Sequence, residues 1–145
     1  MAKKIIVFAC ENSALKAIEG VTDPAVLGAI EPVRLPCSGK IEIALLLKCL
    51  EEDYPGVLVL ACPIDNCKYL RGNRRARTRV ELARQALKAA GISEERVHID
   101  YVSSVDSHKI AEIVRGMQER LAVGTASAGG TASTGGTAAA PPASR

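Results

Sequence analysis

The segment Gly56-Val57-Leu58-Val59-Leu60-Ala61-Cys62 carries five consecutive apolar residues between the turn formers Tyr54-Pro55-Gly56 and a Cys62-Pro63 exit. A run of this length without polar alternation reads as a β-strand covered on both faces, the condition of an interior strand in a parallel sheet. It is the most apolar strand of the chain and the expected centre of its sheet. Residues 4–9 form a second continuous β-rich run. Residues 33–35 are a brief third, and residues 97–102 alternate apolar and polar side chains, which suits a position nearer an edge.

Helical patterns fill the intervals. Residues 12–19 allow a short helix that Gly20, Thr22, Asp23 and Pro24 end. Asp23 followed by Pro24 is a cap residue and then proline at the first helical position, leading into residues 25–30. A leucine-rich helix through residues 41–50 stops at Tyr54-Pro55-Gly56. Residues 74–90 place Val80, Ala83, Leu87 and Ala90 at helical spacing, closed by Gly91. Residues 107–121 put Ile110, Ile113, Val114, Met117 and Leu121 on one stripe. Strand and helix alternate, which predicts an α/β fold: one three-layer domain with a parallel, flavodoxin-like sheet of about four strands and helices on both faces. Residues 1–121 are the expected domain. Residues 122–145, rich in Gly, Ala, Ser and Thr, are expected to form a flexible, disordered C-terminal tail, because they have too little apolar surface to offset the entropy of ordering.

Composition narrows the function. The 145 residues carry a net charge of +3 with one Phe, three Tyr and no Trp, so the aromatic platforms of a nucleic-acid binder are scarce and no nucleic-acid partner is expected. The opening Met1-Ala2-Lys3-Lys4 leads into an apolar run too short for a signal peptide, and no later run approaches spanning length, which predicts a cytoplasmic protein without a membrane span. In that compartment thiols stay reduced, so the five cysteines read as ligands, catalysts or buried hydrophobes rather than as a disulfide framework. Cys49, beside Leu45, Leu46 and Leu50, reads as core.

The other four fall at one place. Cys10, Cys37 and Cys62 each follow a predicted strand, and in a parallel sheet those exits share one edge, where ligands bind in open α/β sheets. Cys67 lies in the loop after the third strand. Four thiols so placed are candidate metal ligands, with buried or redox-active thiols as the alternative. Thiolates suit zinc and iron–sulfur clusters alike, but a domain with its own core needs no structural zinc, which favours a redox cluster. Two further readings remain. Cys10 with Lys16 six residues on resembles the phosphate loop of low-molecular-weight phosphatases and related arsenate reductases, although Lys replaces the forked arginine and the glycine is absent. Cys62 and Cys67 also allow a thiol–disulfide couple, although four residues intervene where such motifs have two.

Phe8-Ala9-Cys10, Arg34-Leu35-Pro36-Cys37-Ser38-Gly39-Lys40, Gly56 to Cys62, Asn66-Cys67-Lys68-Tyr69, Gly72-Asn73 and residues 77–82 together resemble the delta subunit of methyl-viologen-reducing hydrogenase, over residues 4–121. The resemblance implies an electron-transfer subunit with a 2Fe-2S cluster on Cys10, Cys37, Cys62 and Cys67. It implies as partners a hydrogenase or other dehydrogenase and the flavin-containing subunit of heterodisulfide reductase or a related complex. The chain departs from the family at Ser13, where members usually carry a second cysteine shortly after the first. A docking subunit without the cofactor is therefore the alternative within the family. Backbone N–H groups of Ser38-Gly39 are expected to face the sulfurs.

Arg71, Arg74, Arg75, Arg77 and Arg79 crowd the start of a helix, where positive charge opposes the helix dipole. Arg71, Arg75 and Arg79 share a face that suits an anionic cluster, a flavin phosphate or an acidic partner surface, or else is a solvated basic face. Glu81 is expected to pair with Arg77 or Arg84. His98 is expected on an exposed face of its strand, and His108 solvated at a helix start.

Overall fold

The computed structural model describes residues 3–63 and 71–128. Four strands, β1 (Ile5–Cys10), β2 (Ile30–Leu35), β3 (Val57–Ala61) and β4 (Val97–Tyr101), form one sheet in the order β2-β1-β3-β4, and every pairing is parallel. β1 and β3 are buried along their whole length, as their unbroken apolar runs require. The alternating strand β4 takes an edge, as its pattern predicted. β2 takes the other edge and begins at Ile30, three residues before the expected start, because extended residues 30–32 pair with Ile5, Ile6 and Val7.

Helices α1 (Ala14–Glu19), α2 (Pro24–Ala29), α3 (Ile43–Glu51), α4 (Gly72–Ala89) and α5 (Ser107–Ala128) complete the three layers. The strand pleat sorts the core. Ile5, Val7 and Ala9 of β1 with Leu58 and Leu60 of β3 pack against α1, α2 and α5, while Ile6, Phe8, Val57 and Val59 pack against α3 and α4. Each such fully buried Val or Leu contributes roughly 1.5–3 kcal/mol relative to exposure. Asp23 caps α2 by accepting from the Ala25 N–H at 2.9 Å. α4 ends as Gly91 predicted: Gly91 takes φ 77°, and the Gly91 and Ile92 N–H groups donate to Lys88 and Leu87 carbonyls at 3.1 and 2.9 Å, the paired closure of a Schellman motif.

One expectation is corrected, and one helix runs longer than its pattern. α5 continues to Ala128, past the apolar stripe that ends at Leu121, because no proline interrupts it and each added residue gains a backbone hydrogen bond. The remainder of the expected tail, residues 129–145, lies outside the described residues. His98 is not on an exposed face: its side chain is only 19% exposed, and burial, with Arg120 next in effect, pushes its imidazole down to about 4, while Asp100 pulls the other way.

That burial has a pH signature. Between an unfolded value near 6.5 and the folded value of about 4, the unfolded chain binds a proton that the folded chain refuses, so stability falls as pH falls across this window and levels off below it. Urea melts from pH 7 to 4 should show a loss on the order of 2–3 kcal/mol. His98→Gln should remove it.

Candidate functional site

The sheet order makes β1 the point where winding reverses, since β2 lies on one side of it and β3 on the other. Ligands in such folds bind beyond the strand carboxyl ends at that point. Cys10 is the last residue of β1, in register with Leu35 of β2. Ala9 is in register with Leu60 of β3, which puts Cys62 one register step beyond the position facing Cys10. Cys37 follows β2 after Pro36. Sequence order thus scatters these thiols over more than fifty residues, and parallel pairing returns them to one edge.

Local bonds hold the exits together. The Glu11 N–H donates to the Leu35 carbonyl at 2.8 Å, the Asn12 side chain donates to the Pro36 carbonyl at 3.1 Å, and Arg34 pairs with Glu11 at 2.6 Å. Cys37 opens a 3₁₀ turn, Ser38–Lys40, and its sulfur accepts from the Gly39 N–H at 3.4 Å, as expected for a backbone donor facing a sulfur. This turn lies against the start of α4 at a glycine-to-glycine approach. A Cβ placed on Gly39 would stand 2.7 Å from the Gly72 Cα and 3.1 Å from its carbonyl oxygen.

Cys37 and Cys62 touch and form their own buried cluster. Cys10, at the end of β1, is buried, 2% exposed, and in register with Leu35. Cys67 lies outside the described residues. Among the described residues no group of three or more His, Cys, Asp or Glu side chains is close enough to hold a metal ion. Cys49 belongs to the α3 and α4 core, and burial raises its thiol, with Glu52 adding to the effect. Its reading as core holds. Cys10 is closed to solvent while Lys16 is exposed, which leaves the phosphate-loop reading without an accessible nucleophile beside its cation.

Three side chains organise the edge in ways that their sequence positions do not reveal. Asn73, fully buried, donates to the Cys62 and Pro63 carbonyls at 3.1 and 2.9 Å and pins the β3 exit. Arg79 donates to the Gly39 and Ile41 carbonyls, both at 2.7 Å, so one guanidinium clamps the Cys37 turn. Ser38 is fully buried inside it. An asparagine directly after the cysteine loop and an arginine two turns into the helix were visible in sequence, but their targets are carbonyls brought near only by folding. Arg84 pairs with Glu95 at 3.4 Å, where Glu81 was one of the expected partners.

The hydroxyls of Ser13, Ser38 and Tyr101, the Oδ1 of Asn73 and the Nε of Arg84 are buried without a hydrogen-bond partner among the described residues. Ser13 occupies the N-cap of α1 yet makes no side-chain cap, and its N–H donates to the Cys10 carbonyl at 3.2 Å. Buried polar groups are rarely left so. Three of these five residues, Ser13, Ser38 and Asn73, flank Cys10, Cys37 and Cys62 in sequence or by direct bond. Thiolates with adjacent donors are the set a sulfur-rich group requires, so these residues fit an iron–sulfur centre.

The chain matches the family described as methyl-viologen-reducing hydrogenase, delta subunit, over residues 5–124. It is 34% identical over 85 residues to an F420-non-reducing hydrogenase iron-sulfur subunit of Archaeoglobus profundus, an alignment covering 59% of this chain and 62% of that relative, somewhat less than two thirds of the relative's length. It is 29% identical over 119 residues to the vhu iron-sulfur subunit of the F420-non-reducing hydrogenase of Methanocaldococcus jannaschii, covering 81% of this chain and 89% of the relative. It is also 29% identical over 100 residues to one subunit of the ferredoxin:CoB-CoM heterodisulfide reductase of Methanosarcina mazei, covering 66% of this chain but 13% of that protein.

The glycine approach generates a paired test. Gly39→Ala should cost about 1–3 kcal/mol in urea denaturation, since backbone at Gly72 cannot yield as a side chain would. Gly28→Ala in α2, with nothing within 4 Å of the added Cβ, should be neutral or stabilise by up to about 1 kcal/mol.

Proposed function

Because the chain belongs to the methyl-viologen-reducing hydrogenase delta-subunit family, we propose that it is an electron-transfer subunit holding a 2Fe-2S cluster on Cys10, Cys37, Cys62 and Cys67. The observation that carries this reading is the Cys37–Cys62 contact at the sheet's carboxyl edge, with the Gly39 N–H directed at the Cys37 sulfur. Bound there, such a cluster takes up and releases single electrons. The chain's own residues do the rest. β1 and β3, buried on both faces, keep water from the thiolates. Gly39 and the hydroxyls of Ser13 and Ser38 supply donors that stabilise added negative charge on sulfur, and Asn73 and Arg79 hold the two exits in place.

The family resemblance implies a cysteine where this chain has Ser13. Four thiols already satisfy two irons, so its hydroxyl serves as a donor rather than as a required ligand. The partners are a hydrogenase or another dehydrogenase on one side and a heterodisulfide-reductase-like flavin subunit on the other. Support for the second comes from the Methanosarcina mazei relative, in which a stretch similar to this chain is part of a much longer heterodisulfide reductase polypeptide. A domain that occurs fused in one protein and separate in another is suited to the same contact in both. No helix among the described residues is long and apolar enough to cross a membrane, and the proposed setting is the cytoplasm, where the thiols stay reduced.

Anaerobic purification with iron and acid-labile sulfide analysis tests the reading. About two irons and two sulfides per chain are expected for this cluster type, with a reduced-state EPR signal, all lost in Cys37→Ala. A colourless, iron-free protein after reconstitution would leave the cofactor-free docking subunit instead. In the loaded protein Ser13→Ala should lower the reduction potential with iron content unchanged, since one donor to sulfur is removed. In the iron-free chain the same change should be neutral or mildly stabilising, because it deletes an unpaired buried hydroxyl.

A further inference from the structure

The positive charge of this chain is concentrated beside one cysteine. Five of the nineteen basic residues lie within residues 71–79, a stretch with no acidic residue, and the sixteen acidic residues outnumber the basic ones over the rest of the chain. The stretch opens α4, whose first turn has no acidic residue and whose N-cap, Arg71, makes no side-chain cap. Positive charge at a helix N-terminus is repelled by the helix dipole, and neighbouring guanidiniums repel one another.

A cavity of about 590 Å³ borders that stretch. Its walls include Cys37, Lys40, Glu42, Arg75 and Arg79. Arg79 is committed to the Gly39 and Ile41 carbonyls, but its charge remains. Lys40 and Arg75 are exposed. Among the described residues that line it, three cations stand against one carboxylate, Glu42, and make that wall electropositive, with Cys37 as the candidate ligand on it.

We propose that this cavity is the docking site for an acidic segment of an electron partner, a short run of Asp or Glu side chains that enters over Cys37 and engages Lys40 and Arg75. The partner's role rests on the electron-carrier reading given above; the acidic chemistry rests only on the charge and shape of the cavity. Docking there sets the partner against Cys37, the cysteine that lines the cavity among the described residues. Complementary charge of this kind speeds encounter and fixes register, and it weakens with salt.

The test uses the full chain, iron-free and loaded, with a fluorescein-labelled octaglutamate peptide as the probe, followed by anisotropy. Wild type should bind at low salt. Lys40→Glu/Arg75→Glu should lose at least tenfold in affinity, whereas Arg115→Glu on the exposed side of α5 should not change it. Bound peptide should also slow alkylation of Cys37 by neutral iodoacetamide, read by peptide mass mapping of the iron-free chain. Equal binding by the double variant and wild type, no binding at all, or unchanged Cys37 alkylation would each overturn the docking site. Competition by millimolar phosphate equal to that by peptide would also overturn it, as the mark of a simple anion site. Iron content decides the carrier reading separately, since charge-dependent binding by a chain that never takes up iron would sustain the docking site and sink the carrier.

Discussion

The parallel pairing of β1 with both β2 and β3 is the constraint on which the rest of this structure depends. Burial of β1 on both faces demands a neighbour on each edge and helices above and below, and the apolar run of residues 5–9 supplies the surface that makes this favourable. Once the register sets Cys10 against Leu35 and Ala9 against Leu60, the exits of three strands must emerge side by side. No cysteine needs to attract another for this to happen. The hydrophobic effect positions the thiols, and their chemistry uses the position.

Second to it is the close seating of the Cys37 turn on α4. Two glycines, Gly39 and Gly72, let one backbone approach another, and Arg79 and Asn73 then satisfy carbonyls that the approach would otherwise strand. The same helix that steadies the cysteine turn carries the arginine-rich start. Structural support and surface charge are therefore parts of one element, with Arg79 serving the first and Arg75 and Lys40 facing the cavity. That division explains why the basic face could not be read as a unit: within one helical face, one guanidinium is consumed internally and another is left to the surface.

The edge is also polar in a manner that the core is not. Among the described residues the buried polar ones are Ser13, Ser38 and Asn73, and all three lie close to the cysteine exits. Gathering buried polar groups at that edge supports the proposal of a polar occupant there.

The α/β class, the four strands, the edge position of β4, the caps of α2 and α4 and the common edge of Cys10, Cys37 and Cys62 were all determined by the sequence, because each follows from apolar run length, from the period of the pattern or from a single Asp-Pro or Gly signal read locally. Cys49 as core was legible for the same reason. Only the tertiary structure decided that His98 is half-buried, that α5 continues to Ala128, that Arg84 meets Glu95, and that Asn73 and Arg79 hold carbonyls ten and about forty residues away in the chain. Those outcomes depend on which distant groups fold alongside a residue. A strand's alternation shows which side chains share a face, but which charges, here Arg120 and Arg84, act on His98 is settled only when the helices pack.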